Sequence, residues 1–355
     1  MKRIILLFIA TIMIISCTKK DTGIKTYFNN STPANPDFNI EIVEQDTLQN
    51  DSTRMFFDMP WDAVEDTDGN IFILSLFNGK IVKYDNSFNY ITDFGGKGNG
   101  PGELSSPQSM FVYKDTLFVT DSGTKKISKY ITDGHFVNST FAPILSKSHT
   151  FTRKNNYFIS QSIDFYEKEN VMVGRSNLTL IDNRLNLIKN IVYGAETEDF
   201  IFFKSRISYA MTDNNIYVAE NRTDRYKINI FDYSGKKTGI INKDYAMIPF
   251  EYKKEIWSKF FGSKYKRIIS NLYTDYNDNI WVMKAQKDAP DADGYRVTLK
   301  FDVFKNGEFI NEVTLDSLYY ESYNYGLKTK VVNNRIFSFY GAEDKVIVSR
   351  YIIKD

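Results

Sequence analysis

The sequence predicts an all-β protein, a six-bladed β-propeller built of four-stranded antiparallel blades. Three observations carry that expectation. From Trp61 onward, aromatic and β-branched runs alternate with Asp/Asn/Gly turns, the pattern of short strands joined by tight hairpins. The second strand of each unit begins near residues 71, 117, 157, 216, 280 and 336, at intervals of 46, 40, 59, 64 and 56; repeats of roughly 40–50 residues, lengthened by insertions, are the spacing of propeller blades. Phe (28) and Tyr (24) are abundant, as expected of chains rich in strands.

Taken in order, blade 1 reads Trp61–Val64, Ile71–Leu76, Lys80–Tyr84 and Tyr90–Phe94, with turns at Asp68-Gly-Asn70 and Asn78-Gly79. Blade 2 reads Gln108–Val112, Leu117–Thr120, Lys126–Tyr130 and His135–Phe141. Blade 3 is looser, with Thr150–Arg153, Tyr157–Ile163, Arg175–Ile181 and Leu187–Tyr193. Blade 4 comprises Arg206–Met211, Ile216–Glu220, Lys227–Tyr233 and Lys237–Ile241, and blade 5 comprises Ile268–Tyr273, Ile280–Met283, Tyr295–Phe304 and Glu308–Leu315. Blade 6 has only Leu327–Val332, Ile336–Tyr340 and Lys345–Ile353 before the chain ends. Phe38–Val43 is a strand-like run left over ahead of blade 1, and pairing it with Lys345–Ile353 would close the ring and remove its open edges. Between blades 4 and 5, Pro249–Phe261 reads as a short helical insertion, with Pro at its first turn and Gly262 as a stop.

The stretch Phe94–Met110 joins blades 1 and 2. It holds Gly95, Gly96, Gly98, Gly100 and Gly102 within eight residues, followed by Glu103 and Pro107. A phosphate-binding loop would need Gly-Lys-Ser/Thr opening a helix; here Pro107 and another strand follow, so the loop reads as an ordered turn.

The N-terminus has a separate meaning. Lys2-Arg3 precedes an apolar run, Ile4–Ile15, too short to span a bilayer. It ends at Ile15-Ser-Cys17-Thr, and Cys17 is the single cysteine in the chain. A small residue and a Cys directly after such a run resemble a bacterial lipobox. The resemblance implies a signal peptide over 1–16, cleavage before Cys17 and lipidation of its sulfur. Residues 17–37, polar and rich in Asn, Thr, Lys and Pro, suit a flexible tether, leaving 38–355 as a single propeller domain. With 45 basic and 44 acidic residues, no global field points to nucleic acid.

Gly96-Lys-Gly-Asn-Gly-Pro-Gly-Glu-Leu104, Ser106-Pro107, Leu117-Phe-Val-Thr-Asp121, Lys126-Ile-Ser-Lys-Tyr130 and Asp133-Gly-His-Phe136 together resemble an NHL-type repeat. The chain as a whole resembles the six-bladed β-propeller lipoproteins of Bacteroidetes-type bacteria. The likeness is sharp over residues 61–141 and architectural beyond them. It implies a six-bladed ring in the cell envelope and little about activity, because propellers host many unrelated functions.

The chemistry-bearing residues are few. NHL-type amidating lyases resemble this fold but place several His ligands on zinc; this chain has only His135 and His149. Asp66-Thr-Asp68-Gly69 and Asp291-Ala-Asp293-Gly294 match the middle of a calcium loop, but the first and twelfth ligand positions fall on Val64 and Ser75, and on Ala289 and Lys300. Both read as hairpin turns. No cofactor is expected, and calcium in the channel is the one left open. The inner strands and the loops leading into them place Trp61, Asp62, Glu103, Gln108, His149, Arg206 and Arg222 as candidates at the channel mouth, where Arg and aromatic side chains suit anionic or sugar ligands. Lys253–Arg267 carries six basic residues against one acid, interleaved with aromatics; it reads as an amphipathic helix packed on the ring, with docking to a partner or a membrane surface as the alternative. The expected role is a monomeric, lipid-anchored envelope module that binds a small molecule, glycan or protein partner. The rival is a glycan- or lactone-acting hydrolase or lyase that uses carboxylates, with or without calcium, at the mouth.

Overall fold

The computed structural model describes residues 23–49, 60–144, 148–198, 207–219, 222–249, 264–266, 268–284, 296–319, 328–342 and 345–354. Two strands precede the first blade, β1 (Lys25–Asn29) and β2 (Asn39–Gln49). Blade 1 is β3 (Pro60–Glu65), β4 (Ile71–Ser75), β5 (Lys80–Tyr84) and β6 (Tyr90–Gly95). Blade 2 is β7 (Pro107–Tyr113), β8 (Thr116–Asp121), β9 (Lys126–Ile131) and β10 (Phe136–Phe141). Blade 3, the loosest in sequence, is long: β11 (Ser148–Lys154), β12 (Tyr157–Lys168), β13 (Val171–Asp182) and β14 (Leu187–Glu198).

Blade 4 is β15 (Ser208–Met211), β16 (Ile216–Ala219), β17 (Tyr226–Phe231) and β18 (Lys237–Lys243). Blade 5 is β19 (Ile269–Thr274), β20 (Ile280–Lys284), β21 (Arg296–Lys305) and β22 (Glu308–Tyr319). Blade 6 is β23 (Lys328–Val332), β24 (Arg335–Ala342) and β25 (Lys345–Lys354), with β2 as its fourth strand. All the pairings within blades are antiparallel, and the first strand of each blade is the one nearest the ring axis. The Pro249–Phe261 insertion, most of Lys253–Arg267, Asp291–Gly294, Cys17 and Arg206 lie outside the described residues.

Closure is as the leftover strand implies. β2 pairs antiparallel with β25, with Asn39 opposite Lys354 and Ile40 opposite Ile353. On the neighbouring blade Arg335 pairs with Glu65, and its second nitrogen donates to the Asn86 side chain at 2.9 Å. The guanidinium of Arg350 lies 4.8 Å from the Phe88 ring centre. The last blade is thus fastened to the first by strand pairing, charge and an aromatic face.

One expectation is corrected. Within the stretch expected to be a flexible tether, Lys25–Asn29 forms β1, a fifth strand parallel to β18 on the outer edge of blade 4. The chain then runs across blade 5, where the Ala34 and Asn35 amides donate to Phe309 and Ile310 carbonyls at 3.1 and 3.0 Å. Asn311 donates to the Pro36 and Phe38 carbonyls at 3.0 and 2.8 Å. The polar composition that suggests a loose tether instead satisfies an otherwise open sheet edge.

Between blades the core is a set of apolar layers. Val64, Phe72, Leu74 and Ile81 of blade 1 pack on Met110, Leu117, Val119 and Tyr130 of blade 2. Four of the hairpin turns repeat one device: an Asp accepts from the amides two and four residues on, and from the Asn side chain four on. Asp66/Asn70, Asp85/Asn89, Asp182/Asn186 and Asp275/Asn279 all do this. The Asp66–Gly69 segment is therefore the hairpin turn expected of it, with its carboxylate occupied by its own backbone.

The glycine loop is ordered by close backbone approach and by one buried carboxylate. Gly79 and Gly95 both have positive φ, and a Cβ on Gly79 would meet the Gly96 carbonyl at 2.9 Å and the Leu104 carbonyl at 2.8 Å, so only glycine fits there. Asp121, fully buried, accepts from the amides of Ser105 (2.7 Å), Ser106 (2.9 Å), Gly123 (2.9 Å) and Thr124 (3.3 Å). Replacing Asp121 with Ala leaves those amides without an acceptor. The expected loss is about 3 kcal/mol of stability, the scale of hydrogen bonds to a buried charge, measured as a shift in the urea midpoint at unchanged slope.

Candidate functional site

The inner strands share a local irregularity that shapes one end of the channel. Each of β3, β7, β11 and β19 carries a β-bulge near its start, at Pro60/Asp62, Pro107/Ser109, Ser148/Thr150 and Ile269/Asn271. The extra residue is Trp61, Gln108, His149 and Ser270 in turn. A bulge re-aims a side chain out of the pleat and is common beside functional sites. Three of the sequence-derived candidates therefore occupy one equivalent position in successive blades, although no motif in the sequence links them. The spacing of the bulges from the following hairpin is the signal that could have found Ser270.

Short polar residues at the heads of the inner strands, directly after the bulge in β3, β7 and β11 and on unbulged β15, tie their blades to the next. Asp62 accepts from the Met110 amide at 2.8 Å and from Ala63 at 3.0 Å; Lys330 of blade 6 donates to it at 2.6 Å. Ser109 accepts from the Phe151 amide and donates to the Phe151 carbonyl, both at 3.1 Å. Thr150 and Thr152 share the Tyr209 hydroxyl at 3.1 and 2.9 Å, and Ser208 donates to the Ser270 carbonyl at 3.1 Å. The Trp61 indole spans to the Gln108 carbonyl at 2.9 Å, while the Gln108 amide is held by Ser106. The mouth at this end thus gathers Trp61, Asp62, Gln108 and Lys330, with the backbone of His149 beside them.

Glu103 and Arg222 stand apart from that group. The tip of the glycine loop folds outward over blade 2, where Gly102 lies against Phe136 of the outermost strand and its carbonyl accepts from Tyr130 at 3.1 Å. Glu103 is exposed there and accepts from the Gly100 amide at 2.8 Å, so it is placed away from the mouth where the sequence put it. Arg222 sits in the β16–β17 loop, gripped by Asp224 through two contacts of 2.8 and 2.7 Å. Side-chain hydrogen bonds from Arg222 and Arg225 hold the Asp224 carboxyl far below its ordinary range. His135 is exposed on the β9–β10 hairpin, 3.4 Å from Asp133.

The other end of the channel is fastened by charge. Lys154, at the end of β11, lies 3.0 Å from Asp213 of blade 4 and 3.0 Å from Asp278 of blade 5. Asp278 also accepts from the Asp213 amide at 2.9 Å. One ammonium therefore spans three blades, and both carboxylates are occupied by it.

A second ionic group is buried between blades 4 and 5. Asp302, fully buried, lies 2.8 Å from both Lys243 and Lys284. Lys284 also pairs with Glu312, which takes Lys300 at 3.0 Å. Lys243 stands 3.5 Å from the Phe309 ring centre. Burial pushes the Lys243 ammonium down against the pull of Asp302. For Lys284 burial acts the same way, but Asp302 and Glu312 outweigh it and hold the ammonium up. Burial beside Asp302 keeps the Tyr226 hydroxyl well above its usual range. Desolvated pairs of this kind fix blades in register and occur at catalytic sites too; here every charged group has a partner within the cluster. Among the described residues, no three His, Cys, Asp or Glu side chains converge as a cation cage requires.

These features define a six-bladed propeller with one tied-off end and one mouth lined by bulged inner strands. Residues 58–237, just over half of the chain, match the DUF5128 family, described as 6-bladed beta-propeller, and the chain belongs to it. No curated protein matches it. Among solved structures, a candidate exported protein from Bacteroides fragilis superposes with a TM-score of 0.54 at 13% identity, over 93% of this chain and 100% of its own. A member of the DUF4221 family from Bacteroides vulgatus gives 0.49 at 12% identity, over 89% and 98%. Virginiamycin B lyase from Staphylococcus aureus gives 0.45 at 12% identity, over 88% and 99%. At these identities the likeness is one of fold.

The buried cluster makes a pH prediction. Burial raises the Glu312 carboxyl, but hydrogen bonds from Lys284 and Lys300 outweigh it and set the group below its ordinary value. A depressed folded-state pKa contributes stability above the unfolded value and loses it as pH falls through the folded one. The stability advantage of the native chain over Glu312→Gln is expected to be full above about pH 5 and to fade below about pH 4, read from urea midpoints across pH.

Proposed function

We propose that this protein is an extracytoplasmic, lipid-anchored propeller that binds a ligand at the mouth formed by Trp61, Gln108 and Lys330. The observation that carries the reading is the repeated bulge, which presents a side chain to the mouth from successive blades while the opposite end is tied by Lys154. Tryptophan and glutamine beside an ammonium suit a glycan or a peptide, since an aromatic face packs against apolar groups and the amide and ammonium pair with polar ones. Binding is favoured over hydrolysis because Asp62, the carboxylate at the mouth, accepts from Ala63, Met110 and Lys330. A carboxylate so engaged is a poor general base, which needs a free lone pair aimed at the substrate. The basic n-region, the apolar run and Cys17 support export and lipidation, and the Bacteroides fragilis relative described as a candidate exported protein accords with them.

Two experiments test this. In the native host, Cys17→Ser is expected to move the protein from the membrane fraction to the soluble one; retention with membranes would count against the anchor. A thermal-shift screen of the full chain, in a detergent free of sugar, against oligosaccharides and peptides should raise the melting temperature for one class. Trp61→Ala, which removes a half-buried ring at the margin of the blade 1–blade 2 apolar layer, should abolish that shift while lowering the unliganded midpoint by no more than a few degrees. No stabilisation by any sugar or peptide would remove the ligand-binding reading.

A further inference from the structure

We propose that the junction between blades 4 and 5, on the side of the ring tied by Lys154, holds a separate binding site for a single neutral sugar ring, with the N-terminal strand β1 as one of its walls. This site is distinct from the mouth and does not rest on it. A cleft of ≈ 280 Å³ opens there, lined among others by Lys25, Tyr27, Asn215, Tyr217, Thr238 and Asn306. Pockets for drug-sized ligands run from about 300 Å³ upward, so this one suits a single ring.

The lining has the chemistry of a polyol site. Tyr27 offers a half-exposed aromatic ring to C–H groups, while two asparagine amides, a threonine hydroxyl and the tyrosine hydroxyls, that of Tyr217 on an otherwise buried ring, supply donors and acceptors. Among the described residues no Asp or Glu lines the cleft, and the one cation there, Lys25, lies over the Tyr27 ring at 4.5 Å. Burial, with Tyr27 alongside, pushes the Tyr217 hydroxyl up to about 12, so it remains a neutral donor at physiological pH.

Two glycines shape the cleft. A Cβ on Gly307 would lie 2.6 Å from the Tyr27 ring, and one on Gly239 would lie 3.0 Å from Ile230 and 3.1 Å from the Lys25 carbonyl. The Tyr27 ring therefore rests directly on the blade 5 backbone, and the floor beneath Lys25 is clear of side chain. Tyr27 and Lys25 share one face of β1, which pairs with β18 through Lys25 opposite Gly239 and Tyr27 opposite Ile241. A ring bound against Tyr27 would bridge β1 to blades 4 and 5 and slow the opening of that edge strand.

The test uses the full chain in sugar-free detergent with glucose, galactose and N-acetylglucosamine as probes, followed by saturation-transfer NMR and amide hydrogen exchange. At least one sugar is expected to bind with a Kd on the order of 1 mM, the affinity scale of a few kcal/mol, and to slow exchange at Lys25–Asn29. Tyr27→Ala and Asn306→Gly should each weaken binding about tenfold or more; glycine is chosen because Asn306 has positive φ and removing its amide then adds no backbone strain. Trp61→Ala should leave this binding unchanged, which separates it from the mouth. The inference is overturned if no sugar binds up to about 100 mM, a hundred times the expected Kd, or if both cleft variants bind as the native chain does. Binding of glucose 6-phosphate without binding of any neutral sugar would also overturn it.

Discussion

A propeller depends on closing its ring, because every blade is an amphipathic sheet that needs a neighbour on each face. Here the closing contact is the antiparallel pairing of β2 with β25, which joins residues from opposite ends of the chain. Loop closure over such a separation is entropically unfavourable, though it grows only slowly with length. The pairing is reinforced by Arg335 on Glu65 at one level and Lys330 on Asp62 at another. With blade 6 so fastened, the apolar layers between blades can be complete all the way round.

The polar groups near the axis follow from the same constraint. Inner strands are too far apart to pair with one another, so their edges would leave backbone donors and acceptors without partners. Short polar side chains at the heads of inner strands meet that need across the gap: Ser208 of unbulged β15 to Ser270 and, directly after a bulge, Asp62 to Met110 and Ser109 to Phe151. The bulge that aims these residues sideways also turns the preceding one toward the mouth. Structure and binding surface arise from one backbone irregularity, which is why Asp62, read in isolation as a possible acid or base, is better understood as a joint.

Much of the ring was legible in the residues. Asp-Gly and Asn-Gly turns marked the hairpins, and the recurrence of Ile71, Leu117, Ile216, Ile280 and Ile336 at the heads of second strands marked the blades. The unpaired run before blade 1 announced its own partner, because a three-stranded last blade leaves an edge. The site was legible only in part. The position of Trp61 and Gln108 at the heads of inner strands was readable from the strand pattern, but that of Lys330 beside them was not, since its partner is Asp62, 268 residues away. Glu103 was misplaced because a glycine-rich loop has no periodicity from which to read the direction of its tip; contact with Phe136 and Tyr130 turns it outward.

By itself, then, the sequence determined the strand pattern, the number of blades and the way the ring closes, since each depends on local alternation and turn chemistry. The tertiary structure alone decided which polar residues serve as joints and which are offered to solvent. It also decided that Lys25–Asn29 joins the sheet: the segment has no strong strand pattern, and its place comes from the open edge of β18 and the glycine backbone at Gly307 that receives Tyr27. Those choices depend on distances between residues far apart in the chain, and no local pattern encodes them.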